Sequence, residues 1–189
     1  MAADLSHGTP WRATSVATPL GPLVVAVGAA GVVAAELGRV FDEAAGAWEH
    51  RFDVAIRRDD RGLAELRAEA RAYFGGDTAA LGTTVDLAPA GPDFTRRVYE
   101  ATIGIAPGEL RTYGDVAAAA GSPKAWRAAA RALRVCPVEL WIPCHRVVPA
   151  GPGLGSYGGH PEVREFLLRL EGSFSRPGGA GRSRVRAGR

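Results

Sequence analysis

Cysteine is scarce in this chain, with only Cys136 and Cys144 among 189 residues. Two thiols cannot form the disulfide framework of a small secreted domain. A four-ligand zinc site would have to draw on His7, His50 or His160, which show no ligand spacing. No structural metal is expected. Long apolar runs are missing as well: nothing approaches the roughly 18 residues of a membrane span. The opening Met1-Ala2-Ala3-Asp4-Leu5-Ser6-His7 has neither the basic start nor the apolar run of a signal peptide. These absences point to a reducing, cytoplasmic setting. A phosphate-binding glycine pattern is lacking too, because Gly28-Ala29-Ala30-Gly31 reads as a turn. Acidic residues are absent from residues 173–189, which hold five Arg and carry +5, against −4 for residues 1–91 and +2 for 92–172. A polyanionic partner, if there is one, belongs to the second half. The other reading of the tail is a disordered basic end.

What is present is the composition of a soluble globular protein, 47% apolar and 23% charged, at a length of one to two small domains. Thr18-Pro19-Leu20-Gly21-Pro22 is turn chemistry. Leu23–Val27 and Val32–Leu37 then read as a hairpin across Gly28–Gly31. Phe41, Ala45, Trp48 and Phe52 recur at helical spacing, and a strand is expected around Val54-Ala55-Ile56. Leu63, Leu66, Ala70, Tyr73 and Phe74 mark a helix face that stops at Gly75-Gly76. Thr83–Leu87 is expected to close the sheet. This half reads as a scaffold without visible chemistry.

Ala88-Pro89-Ala90-Gly91-Pro92 reads as a domain boundary. Asp93 is expected to cap a helix through Ile105, and Asp115 a short alanine helix ending near Gly121. Ser122-Pro123 is expected to start a third helix, with Ser at the cap and Pro at the first position. Two short helices about a glycine turn make a helix-turn-helix. Lys124, Arg127, Arg131 and Arg134, at steps of three or four, share a face with no acid in the helix. That suits a phosphate backbone, the alternative being a solvated surface. Trp126 is expected to pack rather than to stack on a base.

Chemistry concentrates in Pro143-Cys144-His145-Arg146-Val147-Val148. Cations beside a thiol favour the nucleophilic thiolate. An inert core cysteine remains the other reading, since sequence neighbours usually point apart. Downstream, Gly151–Gly159 is a loop of small residues around Tyr157. Val163, Phe166, Leu167 and Leu170 give the apolar face of a last helix, whose end leaves Glu171 as an ordinary surface carboxylate.

Taken together, Gly108–Ala117, Ser122–Arg127, Ile142–Val148, Gly155–Gly159 and Leu167–Gly172 resemble the methylated-DNA–protein-cysteine methyltransferase family over roughly residues 16–172. The resemblance implies an α/β (α+β) fold. A 1–15 arm precedes a small ribonuclease-H-like sheet-and-helix domain at 16–91. A helical domain with a winged-helix-like helix-turn-helix follows at 92–172, and then a basic tail at 173–189. It implies a protein that flips O6-alkylguanine, and O4-alkylthymine, out of double-stranded DNA and moves the alkyl group irreversibly to its own cysteine. One transfer per molecule, no cofactor, a monomeric state and a place in the cytoplasm beside the nucleoid go with it.

By resemblance Cys144 is the acceptor, His145 passes its proton through a water and Glu171 holds the imidazole. Thr95, Tyr113, Gly114, Ser122, Arg127 and Arg131 would meet DNA, Arg127 filling the space of the flipped base. Val147, Val148, Ser156, Tyr157, Gly158 and Gly159 would form the base pocket. One position departs: Cys136-Pro137 stands where the family has Asn-Pro, whose amide braces the cysteine turn. A thiol cannot supply an amide's paired hydrogen bonds. That raises two alternatives, a lesion-binding module with slow or no transfer, and a Cys136–Cys144 disulfide. Relatives that only bind lesions usually lack the acceptor thiol, which is present here. A thiol hydrolase using Cys144 and His145 is the third reading.

Overall fold

The computed structural model describes residues 9–173. His7 and the Arg-rich tail beyond Ser173 lie outside the described residues. The chain divides into two units. One comprises residues up to Pro89 together with Pro137–Trp141, the other Ala90–Cys136 and the chain from Ile142. The mixed α/β class is as expected.

The first unit is built on a four-stranded sheet ordered β3-β2-β1-β4, from β1 (Trp11–Thr18), β2 (Gly21–Val27), β3 (Val32–Leu37) and β4 (Ile56–Arg58). β1–β2 and β2–β3 are antiparallel and β1–β4 is parallel. Gly21, at φ 100°, makes the first turn, a left-handed conformation that glycine adopts without a Cβ clash. Leu23 to Ala26 are all fully buried, so β2 needs cover on both faces. Helix α1 (Phe41–Phe52) packs Ala44 and Trp48 onto Ala13, Val24 and Ala26. Thr14, on the other face of β1, donates to Asp60 at 2.7 Å, close before α2 (Ala64–Phe74).

β1 starts at Trp11, inside the stretch read from sequence as an arm. Thr83–Leu87 contributes a single parallel bridge, Val32 to Val85, rather than a strand. The rest of the β3 edge is covered from far along the chain. Ala35 N–H donates to the Pro137 carbonyl at 2.8 Å, Glu139 N–H donates to the Ala35 carbonyl at 3.0 Å, and the Glu139 carboxylate accepts from Leu37 N–H at 2.8 Å. Covering an edge strand this way removes a template for aggregation.

The second unit holds α3 (Asp93–Ile103), β5 (Arg111–Thr112), α4 (Tyr113–Ala119), α5 (Trp126–Arg134), β6 (Val147–Val148) and α6 (Pro161–Leu170). Three helix starts differ from expectation. Pro92 occupies the cap position of α3, and Asp93 is its first residue, paired with Arg96 at 2.7 Å. Thr112, not Asp115, caps α4. Its hydroxyl accepts from Asp115 N–H at 3.1 Å, and Asp115 returns the favour to Thr112 N–H at 2.8 Å, a reciprocal capping box.

Ser122 and Pro123 do not open α5. Ala125 N–H donates to the Ser122 carbonyl at 2.8 Å, which closes a four-residue turn with proline at its favoured second position. The helix therefore starts at Trp126, and Lys124 lies outside it. Some of the helix alanines face the interior. Ala129 and Ala132 are buried, and the Tyr99 hydroxyl donates to the Ala132 carbonyl at 3.0 Å.

Candidate active site

The cysteine-bearing turn is shaped by proline. Pro143 (φ −77°, ψ 64°) is the centre of an inverse γ-turn in which Cys144 N–H donates to the Ile142 carbonyl at 2.7 Å. Cys144–Arg146 follows as one 3-10 turn, and all three side chains are buried. β6 then pairs in parallel with β5, Arg111 opposite Val147 and Thr112 opposite Val148. This short ladder fixes the turn directly against the start of α4, where Tyr113 and Gly114 sit.

Beneath the turn lies a closed ionic cluster. His145 Nε2 is 2.9 Å from Glu171 Oε1. Arg146 grips the same carboxylate with two bonds, Nε to Oε2 at 2.9 Å and Nη2 to Oε1 at 2.7 Å, and its Nη1 donates to the Ile105 carbonyl after α3. Burial alone would raise the pKa of Glu171. Hydrogen bonds and charge from His145 and Arg146 outweigh it and bring it down to about 2. Burial lowers the pKa of His145, and Glu171 only partly offsets this against the nearby Arg146 and Arg164.

The imidazole is therefore neutral at pH 7. An ionised carboxylate can only accept, so the ring proton sits on Nε2 and Nδ1 is left with its lone pair. Nδ1 is buried, with no hydrogen-bond partner among the described residues. The cluster is thus a base whose tautomer is held by a carboxylate that an arginine in turn holds.

A second guanidinium organises the ground beside it. Arg164 of α6 is 2% exposed. Its Nη2 donates to the Val147 carbonyl at 3.0 Å and reaches the Tyr113 hydroxyl at 3.5 Å, while Nη1 donates to the Leu154 carbonyl. The guanidinium also lies 4.7 Å over the Tyr157 ring. Tyr157 takes φ 43° and Gly158 and Gly159 take 68° and 108°, a kinked turn that glycine makes accessible.

The structure brings His145 and Glu171 together, with Cys144 next to His145 in the same buried turn. Tyr113, Val147 and Tyr157 gather around Arg164. Ser156, Gly158 and Gly159 are exposed on the loop. Val148 packs into an interior cluster with Leu110 and Leu168, against which Leu154 of the loop rests. Thr95, Gly114 and Ser122 are half-buried, and Arg127 and Arg131 are exposed on α5. Cys136 is half-buried at the end of α5, where its N–H lies 3.4 Å from the Leu133 carbonyl. No disulfide joins it to Cys144.

Glu171 is buried, not a surface carboxylate. Trp126 is 46% exposed, against the expectation that it packs. Sequence reasoning missed the roles of Arg146 and Arg164. The signal for Arg146 was its place next to Cys144-His145. For Arg164 the signal was its position three and four residues before two core leucines.

The fold that carries this cluster is shared with solved structures. A Mycobacterium tuberculosis OGT in complex with DNA superimposes with a TM-score of 0.70 at 29% identity, over 85% of this chain and 92% of that one. An O6-methylguanine-DNA methyltransferase of Pyrococcus kodakaraensis, at 22% identity and a TM-score of 0.59, shares the fold over 86% of this chain and 99% of its own.

Residues 93–173 match the family described as 6-O-methylguanine DNA methyltransferase, DNA binding domain. The constitutive methylated-DNA–protein-cysteine methyltransferase of Bacillus subtilis is 32% identical over 159 residues, 84% of this chain and 93% of that protein. A relative of the same name from Methanosarcina acetivorans is 41% identical over 109 residues, 58% of this chain and 69% of its own. The chain belongs to the methylated-DNA–protein-cysteine methyltransferase family.

Proposed function

We propose that this protein repairs O6-alkylguanine, and O4-alkylthymine, in double-stranded DNA by moving the alkyl group once and irreversibly to Cys144. The observation that carries this reading is the neutral His145 with its unpartnered buried Nδ1, next in the chain to Cys144 and locked from behind by Glu171. The Cys144 thiol gives its proton through a water to Nδ1, and the imidazolium so formed is stabilised by the Glu171 carboxylate. The thiolate attacks the alkyl carbon. A C–S bond forms as the C–O6 bond breaks, and the electron pair stays on the guanine, which takes up a proton.

Flipping delivers the base to the cysteine, since O6 is out of reach within the stack, at a cost of a few kcal/mol. Arg127, exposed on α5, fills the vacated space. Tyr113, Thr95, Gly114, Ser122 and Arg131 engage the backbone, and the Tyr157–Gly159 turn closes over the base. The protein acts as a monomer, without cofactor or metal, beside the nucleoid.

Incubation with a duplex carrying one O6-methylguanine is expected to add one methyl to the intact mass, on Cys144, without turnover. Cys144→Ala is expected to add none. An unchanged wild-type mass over a day with excess substrate sinks the reading.

A further inference from the structure

Residue 126 opens α5 with a tryptophan that the interior does not use. The buried side of the helix is Ala129, Ala132 and Leu133, and the Trp126 ring is 46% exposed. At about 100° per residue, Arg127, Arg131 and Arg134 fall within a sector of about 60°, and Trp126 lies about 80° from its nearer edge, in the first turn of the helix. All three arginines are exposed, and the helix contains no acid. The Arg127 guanidinium lies 4.5 Å over the Trp126 ring. A part-exposed aromatic under one guanidinium, on a helix with two further exposed cations, is the combination that binds nucleic acid, cations for phosphates and a π-face for bases.

We propose that Trp126 is a DNA-stacking residue, an inference that rests on the function proposed above. In the free protein Arg127 rests on the indole. On duplex binding the guanidinium leaves for the DNA, and the uncovered indole wedges against the base step from which the target has been turned out. Aromatic and apolar wedges at a bent or opened step lower the cost of unstacking by replacing the lost base–base contact. Arg127 and Trp126 thus form one unit, a cation that enters and an aromatic that holds the gap.

The chain has four tryptophans. Trp48 and Trp141 are buried and Trp11 is half-buried against Phe52, 5.2 Å between ring centres. Emission from Trp126 is therefore the part open to quenching by a stacked base. The test compares Cys144→Ala protein, which cannot transfer, with the same protein also carrying Trp126→Ala or Trp126→Phe. Affinity for a labelled O6-methylguanine duplex is read by anisotropy, and indole emission is read alongside.

DNA is expected to quench the parent, with most of that quench absent in Trp126→Phe. Trp126→Ala should bind about tenfold more weakly, the loss of one stacked base, and Trp126→Phe should recover all but about threefold of it. The wild-type background should show transfer slowed in the same order. If the parent binds but Trp126→Ala binds within about twofold of it, or the quench persists in Trp126→Phe, stacking by Trp126 is refuted while DNA repair stands. If the parent binds no duplex at all, the repair reading itself fails and this inference falls with it.

Discussion

Replacing Glu171 by Gln keeps the shape of the side chain and removes its charge. Glu171 holds two buried partners, His145 and Arg146, and its carboxyl titrates at about 2 rather than 4.5. At about 1.4 kcal/mol per pH unit, that depression is a contribution to stability of roughly 3 kcal/mol at neutral pH. A second estimate agrees: removing one partner of a buried ion pair strands the other, at about 3–5 kcal/mol. The stranded group here is the Arg146 guanidinium, whose side chain is 8% exposed.

The sign follows from the depressed folded pKa. The contribution is complete above the ordinary value of 4.5 and is lost as pH falls through the folded value near 2. Urea unfolding of wild type and Glu171→Gln at pH 7 should differ by roughly 3 kcal/mol, with unchanged slope. At pH 3 the gap should shrink to less than about half of that. A gap under about 1 kcal/mol at pH 7, or one equal at both pH values, would refute the picture of Glu171 as the charged keystone of the cluster. The same variant should transfer about a hundredfold more slowly, because the imidazole loses the charge that stabilises its protonated form.

Arg164→Met should free the loop at Leu154–Gly159, since the Leu154 and Val147 carbonyls lose their donor and Tyr157 its cation. The expected cost is about 2–3 kcal/mol, with faster amide exchange confined to that loop, and unaltered exchange there would show the clamp to be incidental. Because burial lowers the pKa of His145, the midpoint of the transfer rate against pH should fall below the ordinary histidine value of 6.5. A midpoint near 6.5 in a single-turnover profile would contradict this. Cys136→Asn restores an amide at the end of α5 and should raise the transfer rate, whereas an equal or lower rate would mean that the turn at Cys144 is braced sufficiently by Pro143 and Arg146.

Elements with a clean apolar period were legible from the residues alone. Leu23–Val27 and Val32–Leu37 form the hairpin, and Phe41 to Phe52 and Leu66 to Phe74 form helices, as their spacing requires. β1 was not legible, because Arg12, Thr14 and Ser15 interrupt its apolar pattern. Thr14 is buried nonetheless, and the cost is met by its bond to Asp60, 46 residues away. The last helix shows the same limit at the site itself. Its buried stripe runs Arg164, Leu167, Leu168, Glu171, rotated from the stripe of Val163, Phe166, Leu167 and Leu170 that hydrophobicity suggests.

Two charges on the inward face look like solvated residues until their partners are known, and those partners are remote in sequence. Arg164 meets Tyr113, Val147 and Leu154; Glu171 meets His145 and Arg146. Cys144 and His145 stood out as neighbouring residue types, but their roles, and Glu171 altogether, were reached through the family resemblance and not through periodicity. Trp126 was misread for the opposite reason, since a large aromatic on a helix is usually core.

The cover on β3 bears on how such chains can be divided and recombined. Residues 137–141 serve the first unit although they lie between α5 and the cysteine turn of the second. A fragment cut near residue 90 would take Ala35 and Leu37 away from Pro137 and Glu139, exposing strand backbone that the intact protein keeps matched. The two halves are therefore not interchangeable cassettes. A graft of one relative's second half onto another's sheet has to carry a 137–141 passage fitted to the recipient β3. The inheritance of the cysteine turn is tied in this way to a strand edge about a hundred residues earlier.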